Sequence, residues 1–145
     1  MKRTILLLGM LITLAGCQQQ EQTPRVRLGE DPCANCGMLI SDARFACVIQ
    51  DEQGDYYKYD DFNCMFIHAK SGRIKPKRYL APNYDQPEQW LDGAQAFYAL
   101  TEELQTPMGS RAATVPTRER AEELLKQHGG GKVLTFEEAQ KQWGK

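Results

Sequence analysis

The chain has 145 residues, of which 18 are basic and 19 acidic, for a formal net charge of −1. Such a balance leaves no basic stripe and argues against a nucleic-acid binder. The length suits one domain, or two small lobes sharing a core.

Lys2 and Arg3 open the chain, and Ile5 to Ala15 follows as eleven residues without charge. A membrane-crossing helix needs roughly 20 apolar residues. A positive start and a short apolar run instead predict an export signal over residues 1–16. Leu14-Ala15-Gly16-Cys17 resembles the lipobox of bacterial lipoproteins. Small residues let the chain enter a peptidase cleft, and the Cys17 thiol takes the diacylglyceryl group. One acyl chain anchors weakly; a mature bacterial lipoprotein carries three. Gln18, where aspartate would favour retention in the inner membrane, points to the outer membrane. The expected location is the periplasm, by lipid anchor. Residues 17–28 are polar, contain Pro24 and lack periodicity, as a flexible tether does. Residues 29–145 are the expected folded domain. Without Lys2 and Arg3 the mature chain keeps 16 basic and 19 acidic residues, a charge of about −3.

Ala43 to Gln50 reads as a strand and Tyr56 to Tyr59 as its return, joined by Asp51-Glu52-Gln53-Gly54-Asp55. Asp60 or Asp61 can cap a helix in which Phe62, Met65, Phe66 and Ala69 share one face. Gly72 suits its exit. Arg78 to Ala81 is a short strand and Pro82 to Pro87 a loop. Ala96 to Thr101 and Ala112 to Val115 are strands on either side of the Thr106-Pro107-Met108-Gly109-Ser110 turn. Pro116 opens a second helix, with Ala121, Leu124 and Leu125 on one face, ending before three glycines. Lys132 to Thr135 is a strand. Thr135 and Glu138 form a capping box for a last helix reaching Trp143. The order strand, strand, helix, strand occurs at 43–81 and again at 96–135. The expected class is α+β, two ββαβ modules in one compact domain.

Asp31-Pro32-Cys33-Ala34-Asn35-Cys36-Gly37-Met38 places two thiols at C-x-x-C spacing and a thioether two residues on. Cys64 and Met65 form a second sulfur pair, and Met108 sits in a short polar turn instead of a core. Thiolate and thioether are soft donors that select Cu(I), whereas zinc rarely takes thioether. Cys36, Met38 and Met108 are the first expected metal ligands, with Cys33, Cys64, Met65 and His68 in reserve. Each has a bland counterpart. Cys33 and Cys36 can be a disulfide or redox pair, and Met65 lies on the apolar helix face. His68 reads as solvent-facing, Cys47 as a buried small hydrophobe, and His128 as a helix-end residue favoured by the dipole.

These residues resemble a known family. The lipobox, Cys36-Gly37-Met38 followed by Asp42, the run from Tyr59-Asp60-Asp61 to Cys64-Met65, and Thr106-Pro107-Met108-Gly109 are together similar to the NosL family. The resemblance implies a lipoprotein of the nitrous oxide reductase system. It implies a Cu(I) chaperone, not an enzyme, that hands copper to the reductase's maturation machinery through an ABC-type membrane complex. It also implies two ββαβ modules like those of the organomercurial lyase, and copper held by cysteine and methionine sulfur. Two other functions fit the cysteines: a periplasmic thiol–disulfide oxidoreductase, and a structural lipoprotein with two disulfides.

Overall fold

The structure is a computed structural model that describes residues 23–144. The signal segment, Cys17 and Gln18 lie outside the described residues. Strands β1 (Cys47–Asp51) and β2 (Tyr56–Tyr59) form an antiparallel hairpin, with Val48 opposite Lys58 and Ile49 opposite Tyr57. Asp51 closes its turn, its carboxylate accepting the N–H groups of Gln53 and Asp55 at 2.9 Å each. Helix α1 (Phe62–Lys70) follows and returns the chain to β3 (Pro76–Asn83), which pairs with β1. Phe62, Met65 and Phe66 are buried, as their shared face requires.

The second half repeats the connection. Strand β5 (Phe97–Leu100) is central, β6 (Ala112–Val115) pairs on one side, α2 (Arg118–Gln127) crosses over, and β7 (Lys132–Leu134) pairs on the other. The sheet orders are β2-β1-β3-β4 and β6-β5-β7. In each, the first strand of the repeat lies between the second and the third. The α+β expectation therefore holds, with two sheets and three helices. Helix α3 (Phe136–Trp143) closes the chain on the expected capping box, Glu138 Oε2 accepting the Thr135 N–H at 2.9 Å.

Several boundaries differ from the sequence expectation. The first strand begins at Cys47, not Ala43, because the Asp42 carbonyl accepts the N–H groups of Phe45 and Ala46 and bends the chain there. Pro116 precedes the helix instead of opening it. Thr117 is the N-cap, its side chain accepting the Arg120 N–H at 3.2 Å. The expected loop from Pro82 to Pro87 is a tight turn at Tyr84 and Asp85 between β3 and a further strand, β4 (Gln86–Asp92). Strand β4 is an edge strand, where a proline's missing N–H removes no ladder bond that the sheet needs.

Aromatic packing joins the two sheets. Phe66 of α1 stacks on Trp143 of α3 at 5.9 Å and lies within 6.2 Å of Tyr79 and 5.9 Å of Tyr98. The Tyr84 N–H donates to the Thr114 carbonyl at 2.9 Å, tying the β3–β4 turn to β6. At the start of the described chain, the Pro24 carbonyl accepts the Trp90 indole N–H at 3.2 Å. This end of the tether segment is therefore held on β4.

Candidate metal centre

The turn that carries the C-x-x-C pair is a small closed loop. The Cys33 N–H donates to the Met38 carbonyl at 2.7 Å, the Gly37 N–H to the Cys33 carbonyl at 2.9 Å, and Pro32 bridges Leu39. Gly37 adopts φ of 78°, a left-handed conformation that side chains disfavour. The loop is pinned from below. The Ala34 N–H reaches the Lys58 carbonyl of β2 at 2.8 Å, and the buried Asp31 carboxylate accepts Lys58 Nζ at 2.6 Å. Lys58, with the Arg27 N–H and guanidinium, holds the Asp31 carboxyl down to about 2. Asp60 completes the clamp by accepting the Ser41 N–H at 2.9 Å. Burial pushes the Asp60 carboxyl up despite that bond.

The loop is pinned beside the first turn of α1. There Cys33, Cys36 and Cys64 bring their sulfurs within 4.8 Å of one another. Cys33 and Cys64 are buried, Cys36 is exposed, and all are free thiols. The Cys64 thiol donates to Cys33, and backbone N–H groups of Cys36, Asp60 and Asn35 add to it. Together they lower the Cys33 pKa against the cost of burial. Cys64, which gives the hydrogen bond and is itself buried, is shifted upward. Of the two, Cys33 gives up its proton more readily and Cys64 holds its own, so an arriving cation bound by both would displace the Cys64 proton. Three sulfurs fall short of the four ligands of a structural zinc site. They match a soft, low-coordinate ion with one open side.

A second loop is fastened to the same helix end. Asp61, fully buried, N-caps α1 through the Phe62 N–H at 2.8 Å. The same carboxylate accepts Thr106 Oγ1 at 2.8 Å, the Met108 N–H at 3.0 Å, the Ser110 N–H at 3.1 Å and Ser110 Oγ. Asn63 Nδ2 donates to the Met108 carbonyl at 2.6 Å, while Asn63 Oδ1 accepts the Cys64 N–H at 2.8 Å. Gly109, at φ of 74°, turns the chain. The backbone of Met108 is thereby fixed at the helix end that carries Cys64.

The model of the NosL family matches residues 27–143. The chain belongs to the NosL family. A model of the prokaryotic membrane lipoprotein lipid attachment site matches residues 1–18, which contain Cys17. Among solved structures, the copper chaperone NosL from Shewanella denitrificans shares the fold with a TM-score of 0.68. Identity is 16%, over 81% of this chain and 95% of that one. Among curated proteins none matches.

Within this NosL-family domain, the expected site residues fall into three groups. Cys33, Cys36 and Cys64 are brought together. Met38 and Met108 lie on the two clamped loops, Met38 exposed and Met108 half-buried against the core. Met65 is fully buried in the core cluster, as its helix face predicts. His68 differs from the sequence expectation. It is buried, not solvent-facing, with Nδ1 at 2.9 Å from the Tyr59 hydroxyl and its ring against Tyr57 and Tyr59. Cys47 is a buried hydrophobe of β1, and His128 caps α2, as expected. Asn63 is the residue that sequence reasoning missed. Its only sequence signal is its place between the cap Asp61 and Cys64.

Proposed function

We propose that the chain is a lipid-anchored periplasmic chaperone that binds Cu(I) and delivers it for assembly of nitrous oxide reductase. The observation that carries this reading is the convergence of Cys33, Cys36 and Cys64 within 4.8 Å, two buried and one open to solvent. Buried sulfurs hold a soft ion; an exposed one offers a receiver the first point of exchange. In this reading Met38, exposed two residues from Cys36, and Met108, whose backbone is fastened to α1, add thioether ligands. Family membership and the fold shared with the Shewanella denitrificans copper chaperone support the copper assignment. The receiver in this reading is an ABC-type membrane complex, the anchor lies in the outer membrane through acylated Cys17, and the chain turns over no substrate.

The thiol–disulfide reading is less favoured. Such enzymes lower a thiol's pKa by setting C-x-x-C at a helix N-terminus. Here the pair lies in a turn, and the lowered thiol faces a third sulfur from α1.

The test is a titration of the reduced chain with Cu(I) against a competing chelator, followed by X-ray absorption of the loaded form. About one equivalent bound through sulfur is expected. Failure to compete for the metal would overturn the proposal.

A further inference from the structure

Among the described residues, the large hydrophobic side chains left exposed are Leu28, Met38, Leu39 and Ile67. Three of them lie on adjoining stretches of backbone. The Gly29 N–H donates to the Ile40 carbonyl at 2.8 Å, so Leu28 and Leu39 flank the same backbone contact, and Met38 precedes Leu39. Leu28 is also a wall of an open groove of about 470 Å³, lined by the apolar Val26, Ala46, Pro87 and Trp90 together with the charged Arg25 and Glu88. Thr23, where the described chain begins, lines it too. Leu28 thus belongs both to the exposed apolar side chains and to the groove, and the described chain begins beside it.

The distance to the anchor selects the occupant. Six residues lead from Cys17 to Thr23, a reach of at most ~20 Å when fully extended. A domain of this size has a radius of gyration of about 14 Å. The leash is thus shorter than the domain is wide, and a lipid on Cys17 keeps the groove side nearest the bilayer. At the effective concentration set by so short a tether, even a weak apolar contact is strongly populated. Tryptophan beside such a face suits the water–lipid boundary.

We propose that the face formed by Leu28, Met38, Leu39 and the Trp90 groove rests on the bilayer that holds the Cys17 lipid. This rests on the lipoprotein reading of residues 1–18. Contact on this face sets Cys36, two residues before Met38, close to the surface of the anchoring membrane. The lipid is then more than an address: together with the apolar face it orients the thiol opening.

The experiment uses the full acylated chain in vesicles of phosphatidylethanolamine and phosphatidylglycerol, part of the lipid brominated in its acyl chains. Trp90 emission is taken as the difference between the wild-type chain and Trp90→Phe. Quenching of Trp90 by bromolipid is expected. Leu28→Ser with Leu39→Ser should largely abolish it without changing the circular dichroism spectrum. Mass spectrometry of the Cys17 peptide separates two failures. An acylated chain without Trp90 quenching overturns the membrane face alone. A chain without acyl groups overturns the anchor and the face together.

Discussion

Met108 donates its backbone N–H to Asp61 at 3.0 Å, across 47 residues of sequence. The two sulfur loops are thereby referred to one point, the N-terminus of α1. Asp60 fastens the Cys33–Ser41 side through Ser41, and Asp61 fastens the Thr106–Ser110 side. A helix cap doubles as the ruler of the site.

Replacing Asp61 with Ala should therefore destabilise the fold by about 3 kcal/mol. An N-cap is worth roughly 1 kcal/mol, and stranded buried donors cost ~1–3 kcal/mol more. Denaturant unfolding measures it. Copper affinity should fall as well, since Met108 loses its tie to the helix. A change below about 1 kcal/mol, within the range of one lost cap, would mean that Asp61 does not hold the loop.

Cys64 and Cys47 offer a paired comparison of two buried thiols. Cys64→Ser should lower Cu(I) affinity by more than ~10-fold, the scale that outer-shell changes already reach at metal sites, with little loss of stability. Cys47→Ser should do the reverse, placing a hydroxyl in a fully buried strand position and leaving copper affinity unchanged. Equal affinities for the two variants would remove Cys64 from the ligand set. Met108→Leu, which keeps the volume, should weaken binding while thermal stability holds.

The Cys33 thiol should titrate below ordinary thiols in the metal-free chain. Its folded pKa is lowered by the Cys64 hydrogen bond and the backbone donors. Between that lowered value and the ordinary 9.0, the unfolded chain binds the extra proton. Stability from Cys33 therefore rises with pH across this window and is lost as pH falls through the folded value. Thiolate absorbance near 240 nm should persist at neutral pH and move to higher pH in Cys64→Ala, which removes the donor. An unmoved titration would separate the two sulfurs.

Asp31 sets a second pH dependence. Its carboxyl is held down to about 2 from an ordinary 3.8 by Lys58 and Arg27. The depressed value means stabilisation present above 3.8 and lost as pH falls toward 2. Asp31→Asn should flatten the acid limb of the stability curve and loosen the base of the Cys33–Met38 turn. Amide exchange at Cys33 and Gly37 measures the loosening; unchanged protection there would sever Asp31 from the turn.

Releasing the chain from the membrane gives a last expectation. A Cys17→Ser chain directed to the periplasm by a cleavable signal should bind copper as the anchored form does. Its support of nitrous oxide reductase activity in cells should fall, because a tethered donor searches a surface instead of a volume. Undiminished activity would make the anchor incidental to delivery.

Local chemistry in the sequence determined a good deal. The hairpin turn at Asp51 to Asp55, the Asp61 cap, the face of Phe62, Met65 and Phe66, and the Thr135–Glu138 box each depend on neighbours a few residues apart. All can be read without a partner from elsewhere. Soft-ligand chemistry likewise singled out the cysteines and methionines. The β4 strand was not legible, because Gln86-Pro87-Glu88 lacks strand formers and an edge position tolerates that. Nor was the burial of His68, which depends on Tyr59 of the neighbouring strand.

The tertiary structure decided which sulfurs meet. In sequence Cys64 is 28 residues from Cys36 and lies beside Met65, and soft-ligand chemistry alone points first to Cys36, Met38 and Met108. In the fold the helix end turns Cys64 toward Cys33 and Cys36, and sends Met65 into the core. One helical position rotates a side chain by about 100°, so neighbours in sequence part company. Sequence names the donor atoms; only the clamped loops and the rotation of α1 say which of them share a centre.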